Sequence, residues 1–171
     1  VCEGGRAGAD RDAGGSWRII AEGGGGGLSA APLALRALKK VAPEGAGIAR
    51  YGLSNFGTLF MAGERLDHET LSWAQEQLGV PVIDHWWQTE TGWAIAANCL
   101  GIEQLPVLAG SPTRPVPGWD VRVLDANGRE LPAGQTGALV VKLPMPPGAS
   151  PTLWDAAGRF PARSGGGRGR G

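Results

Sequence analysis

Residues 58–83 read TLFMAGERLDHETLSWAQEQLGVPVI, and this stretch decides the fold. Thr58-Leu59-Phe60-Met61 is a short apolar run of strand length, and Ala62-Gly63 ends it. Asp67 offers a side-chain oxygen to the open N–H groups of a helix start. Leu71, Ala74 and Leu78 then keep helical spacing, and Gly79 suits the stop. Val80-Pro81-Val82-Ile83 is a second short apolar strand. One step upstream, Pro32 stands at a first helical position and opens a helix through Lys40. Leu35 and Leu38 share a face of it, and Lys39 and Lys40 sit where the helix dipole favours cations. The order helix, strand, helix, strand predicts parallel strands with crossovers.

Further out, the composition shifts. The chain has 171 residues and 30 glycines, of which residues 1–27 hold 10 and residues 161–171 hold 5. Gly23–Gly27 is an unbroken run, costly to order and with no side chain to bury. Gly15–Glu22 upstream has the pattern of a short helix with Asp12 near its start, marginal by itself. After Gly110 the pattern becomes β: Trp119, Val121 and Val123 alternate, Asn127-Gly128 is a hairpin turn signal, and Leu139–Leu143 is the return strand. Pro144, Pro146 and Pro147 stop it. The expected fold class is α/β with a parallel sheet, followed by a β-rich part. Residues 1–27 are expected to be poorly ordered, 28–110 to be α/β, 111–160 to be β-rich, and 161–171 to be a disordered Gly/Arg tail.

Charge and cysteine content exclude several classes. Lys+Arg and Asp+Glu are both 16, so nothing in the net charge argues for a nucleic-acid or membrane partner. Two cysteines, Cys2 and Cys99, cannot build a disulfide framework, which makes a reducing, cytoplasmic setting the default. No apolar run reaches the roughly 18 residues of a membrane helix. The N-terminus lacks signal-peptide order and does not begin with Met, so the chain reads as processed or as a fragment.

The stretch with chemistry follows the second strand: Asp84-His85-Trp86-Trp87-Gln88-Thr89-Glu90-Thr91-Gly92. Ligands of open α/β sheets bind beyond the carboxyl ends of strands. A Thr89 hydroxyl can donate to a phosphate oxygen, and the Glu90 carboxylate can hold Mg²⁺, which favours oxygen ligands and brings substrate phosphates. Two neighbouring tryptophans can wall an apolar pocket or stack on a base. By residue type alone, a polar loop with two core tryptophans explains the stretch equally well. Gly63-Glu64-Arg65 ends the first strand, where glycine permits a flat ligand to approach the backbone. Residue types alone favour a plain turn there, with a surface Glu–Arg pair.

Four ordered segments resemble the AMP-forming acyl-CoA synthetases, in their short-chain acetate and propionate branch. They are Ala31-Pro32 with Leu35-Arg36-Ala37-Leu38, then Ala62-Gly63-Glu64-Arg65-Leu66, then Asp84 through Gly92, and Gly110-Ser111-Pro112-Thr113-Arg114-Pro115-Val116-Pro117-Gly118. Trp86-Trp87-Gln88-Thr89-Glu90-Thr91-Gly92 is the most specific of them, and the resemblance covers roughly residues 28–160. Asp84-His85 before it, and Gly92-Trp93-Ala94-Ile95-Ala96-Ala97-Asn98 at its end, look more like the propionate-activating members than the acetate-activating ones.

The resemblance implies an enzyme that joins a short carboxylate to AMP, releasing pyrophosphate, and then passes the acyl group to coenzyme A. ATP, Mg²⁺ and coenzyme A would be its cofactor and co-substrates, and its partners would be small molecules. Gly63, Glu64 and Arg65 would line the adenine side. Asp84, His85, Trp86, Trp87, Gln88 and Thr89 would bind nucleotide. Thr89 would meet the α-phosphate and Glu90 would hold the metal, the two catalytic assignments. Ala62 and Trp87 would form the acyl pocket; Ala62 stands where acetate-type members usually carry Val, which implies room for one more methylene. The family's phosphate loop, its ribose-binding Asp and its catalytic Lys have no counterpart in these residues. An internal piece of the large domain, inactive in thioester formation by itself, is the resulting expectation. Two other readings compete: a non-catalytic nucleotide-binding fragment, and an Arg/Gly-tailed nucleic-acid module, which two arginines without aromatics support poorly.

Overall fold

The computed structural model describes residues 14–149. It divides into two compact units. One runs up to Trp87 and resumes over Ala94–Pro117; the other takes Gln88–Trp93 and the chain from Gly118 onward.

The first unit is built on the expected parallel sheet. Helix α1 (Gly15–Glu22) leads to strand β1 (Gly27–Ala30), helix α2 (Pro32–Val41) and the short helix α3 (Ala46–Ala49). Strand β2 (Thr58–Met61), helix α4 (His68–Leu78) and strand β3 (Val82–Asp84) complete it. The strand order is β1-β2-β3, both pairings parallel. β2 is central, and Leu59 and Met61 on it are fully buried. They meet Leu35 of α2, Leu71 and Ala74 of α4, and Trp17 of α1 in one apolar cluster. Apolar burial of this kind, about 25 cal/mol per Å², is what holds sheet and helices together. The indole N–H of Trp73 is also satisfied, donating to the Pro43 carbonyl at 2.7 Å.

Asp67 caps α4 as its position predicts. One carboxylate oxygen accepts the Thr70 backbone N–H at 2.8 Å, and the other accepts the Thr70 hydroxyl at 2.9 Å and Arg36 at 3.1 Å. The Thr70 backbone bond leads in lowering the Asp67 pKa from 3.8 to about 2. A depressed carboxylate pKa contributes stability that is complete above the unfolded value and disappears as pH falls through the folded one. Asp67→Ala is therefore expected to cost about 1 kcal/mol near neutral pH, the ordinary worth of a cap. Urea midpoints of variant and wild type should converge as pH falls from 3.8 to about 2; a gap constant across that window would contradict the assignment.

In the glycine-rich start, the short helix expected over residues 15–22 is present and Gly27 opens β1. Burial of Trp17 and Ile20 explains the helix. The glycine run is held by backbone bonds instead of side chains: Gly23 N–H to Ile19 O and Gly25 N–H to Ile20 O, both 2.9 Å, and Gly57 N–H to Gly26 O at 2.8 Å. Residues 1–13, including Asp12, and 150–171, including the expected disordered tail, lie outside the described residues.

Antiparallel pairing also begins earlier than residue 111. Strands β4 (Trp86–Trp87), β5 (Ala94–Ala97) and β6 (Arg114–Pro115) form a three-stranded antiparallel sheet. All four residues of β5 are buried. Alanine has little strand propensity, so packing forms this strand where local preference does not.

In the second unit, β7 (Asp120–Leu124) and β8 (Ala138–Lys142) pair in antiparallel register, Val121 opposite Val141 and Val123 opposite Leu139. Asn127-Gly128 does form a tight turn. The Asp125 carboxylate accepts the Asn127 and Arg129 N–H groups at 2.8 Å each. That turn returns the chain to Glu130 and Leu131, whose N–H reaches the Val123 carbonyl at 2.8 Å. Pro132 brings no N–H to extend this ladder, and β8 starts six residues later. Asn127-Gly128 is thus not a two-residue hairpin joining β7 directly to β8.

Candidate functional site

β2 and β3 are neighbours and parallel, so the segments after them leave the same sheet edge. Ala62–Leu66 follows β2, and Asp84-His85 ends and follows β3. The Ala62 N–H reaches the Ala30 carbonyl at 3.2 Å, carrying the ladder one residue past the strand. Gly63 has φ +95°, a left-handed conformation that disfavours a side chain, and the space beside its Cα is open. The exposed Arg65 side chain lies over Gly110.

Glu64 is fully engaged. One oxygen accepts the Leu33 N–H at 2.7 Å, in the first turn of α2, and the other is paired with Arg36. A carboxylate there complements the open donors and positive end of the helix. Leu66 turns inward and is fully buried. Its N–H faces the Asp84 carboxylate, which is 9% exposed. Burial pushes the Asp84 pKa up, opposed by the Leu66 bond and by the charge of His85. The two sequence motifs, 62–66 and 84–87, are therefore brought side by side, with Met61 opposite Asp84 in the parallel register.

His85 bonds to β2. Its Nδ1 lies 2.7 Å from the Met61 carbonyl. That carbonyl can only accept, so Nδ1 carries the proton it receives. The ring lies edge-on to Phe60 at 5.7 Å and tilted against Trp87 at 6.4 Å. Trp86 is half-buried and Trp87 is 45% exposed, so the pair is not the core pair that residue type alone allowed.

Within the second unit, Thr89, Glu90 and Thr91 form a single 3₁₀ turn. Thr91 holds it. Its buried hydroxyl accepts the Gln88 N–H at 3.0 Å and lies 2.8 Å from the Gln88 carbonyl and 3.0 Å from that of Trp93. Gly92 follows with φ +69°, and a Cβ there would meet the Gly148 carbonyl at 2.7 Å. Gln88 and Thr89 are exposed and Glu90 is half-buried. Among the described residues, no three His, Cys, Asp or Glu side chains gather into a metal cluster. A single carboxylate such as Glu90 fits Mg²⁺ in the manner of an ion carried mainly by water and substrate phosphate.

Sequence reading passed over Arg36 and Thr91 as supports of these loops. Thr91 stands in the quoted motif, but its hydroxyl bonds only show once the turn is built. Arg36 is 28 residues from Glu64, beyond any local pattern.

The sequence profile of the AMP-binding enzyme family matches residues 5–146. The chain belongs to that family. It is 49% identical over 149 residues to an uncharacterized protein of Pseudomonas aeruginosa, covering 87% of this chain and 24% of that one. It is 47% identical to the mouse mitochondrial acyl-CoA synthetase short-chain family member 3, covering 84% of this chain and 21% of the relative. It is 42% identical to the propionate–CoA ligase of Escherichia coli K12, covering 78% and 21%. The chain thus spans between a fifth and a quarter of the length of the curated relatives it matches. Among solved structures, an acyl-CoA synthetase of Brucella canis superposes with a TM-score of 0.66 at 33% identity, covering 77% of this chain and 23% of that one. The complex of an anthranilate CoA ligase with anthranoyl-AMP superposes at 0.68 and 21% identity, a likeness of fold, covering 88% and 28%. No helix among the described residues is long and apolar enough to cross a membrane.

Proposed function

We propose that this AMP-binding chain is part of an AMP-forming short-chain acyl-CoA synthetase, converting propionate or acetate, ATP and coenzyme A into acyl-CoA, AMP and pyrophosphate. The observation that carries the reading is the parallel pairing of β2 and β3, Met61 opposite Asp84. It brings the Gly63–Leu66 loop and the Asp84–Trp87 segment to one end of a parallel sheet, where nucleotides bind in α/β folds.

The residues then take distinct tasks. Gly63 exposes its backbone for the adenine ring, with Glu64 and Arg65 shaping that loop and Asp84, His85 and Trp86 supporting it. Gln88 is assigned to the nucleotide and Thr89 to its α-phosphate: the Thr89 hydroxyl would donate to the oxygen where negative charge grows as the carboxylate attacks. Glu90 would hold Mg²⁺, which when bound neutralises phosphate charge. Trp87, braced by His85, walls the acyl group, and Ala62 leaves the pocket wider than Val would. A difference of one methylene is worth about 1–3 kcal/mol, so propionate is favoured over acetate by a modest factor.

Calorimetry with a non-hydrolysable propionyl-adenylate analogue tests this. The chain should bind it, and Thr89→Ala and Glu90→Ala should each weaken binding about tenfold, the worth of a charge-assisted hydrogen bond. Equal binding by wild type and both variants would sink the assignment of these two residues. No binding by a folded wild type would leave family ancestry without nucleotide recognition in this chain.

A further inference from the structure

Arg36 lies on α2, on neither motif loop, yet one guanidinium reaches both ends of the loop after β2. Nη2 pairs with Glu64, and Nη1 lies 3.1 Å from Asp67. The carboxylate of Glu64 also receives the Leu33 N–H at 2.7 Å, so α2 grips that residue twice. On the opposite side, the Leu66 N–H faces buried Asp84. The four residues from Glu64 to Asp67 are therefore clamped from two directions, while the space beside Gly63 stays open. Arg36 itself is half-exposed, and its guanidinium is directed to Glu64 and Asp67. A planar fork that bridges two carboxylates fixes geometry in a way that a single ammonium cannot.

We propose that Arg36 is a positioning residue: by bridging Glu64 and Asp67 it holds the Gly63–Leu66 loop in the shape that receives adenine. The adenine part rests on the function proposed above; the clamp itself does not.

The test uses the whole 171-residue chain, with two readouts. The first is amide hydrogen exchange at residues 63–66 without ligand. The second is AMP affinity by calorimetry. Arg36→Met should speed exchange at the loop about fivefold, the scale of two half-exposed ion pairs, while amides of β2 and α4 stay unchanged. AMP binding should weaken by about the same factor, and Arg36→Lys should recover only part of each effect. Glu64→Gln removes the same bridge from the other side and should reproduce the faster loop exchange, which keeps the test open if Arg36→Met fails to fold. Unchanged loop exchange in these variants overturns the proposal. Faster exchange with unchanged AMP affinity overturns the positioning role. Faster exchange in a chain whose wild type binds no AMP supports the clamp and overturns the adenine reading instead.

Discussion

Trp17→Ala is expected to destabilise the parallel-sheet unit by about 3–5 kcal/mol, the range for losing a buried Trp or Phe side chain. Trp17 is 1% exposed and packs edge-on against Phe56, ring centroids 6.3 Å apart at 78°. It joins α1 to the core cluster under the sheet, beside Leu38, Ile48 and Trp73. Small domains are stable by only about 5–15 kcal/mol, so the loss takes a large share. Trp93→Ala provides the contrast: with Trp93 74% exposed, its change should stay within about 0.5 kcal/mol. Urea unfolding followed by circular dichroism reads both. Equal midpoints for the two variants would mean that α1 is not part of the core.

The second large effect belongs to Asp84. Asp84→Ala removes the acceptor that faces the N–H of fully buried Leu66. A buried donor left without a partner costs about 1–3 kcal/mol. Asp84→Asn keeps an acceptor oxygen and discards the buried charge, so it should lose far less. The pH dependence runs opposite to that of Asp67. Burial raises the Asp84 pKa above 3.8, so the folded state holds its proton to higher pH than the unfolded chain does. Its penalty is absent below the unfolded value and grows as pH rises from 3.8 toward the raised folded value. Asp84→Asn should therefore gain stability relative to wild type across that rise. A wild-type advantage that grows with pH would show that the carboxylate is stabilised and not strained by its surroundings.

What sequence conveyed, and what it withheld, follows physical range. β2, α4 and β3 were legible because apolar spacing and an Asp cap act within one element. β1 was not, because its ordering comes from pairing with Thr58–Met61, about thirty residues away. β5 was missed for a related reason: Ala94–Ala97 becomes a strand by being packed, with no β-branched residue other than Ile95 to announce it. Of the candidate site, the residue types could be picked out from Asp84 to Glu90. Which of them face inward could not, since Asp84 is buried and Thr89 exposed five positions later. The engagement of Glu64 by α2 was invisible for the same reason as β1: its partners, Leu33 and Arg36, lie a whole helix and strand upstream.

The glycine run that feeds β1 has a consequence for self-association. β1 is the edge of its sheet and is nowhere fully buried. Releasing it frees the glycines that feed it, which regain more backbone entropy per residue than other types would, and this favours local opening at β1. Its departure bares one side of β2, an apolar strand with a full row of unpaired donors and acceptors, while the rest of the core stays intact. Such an edge pairs readily with another chain. The local hold on residues 23–30 therefore bears on self-association separately from global stability.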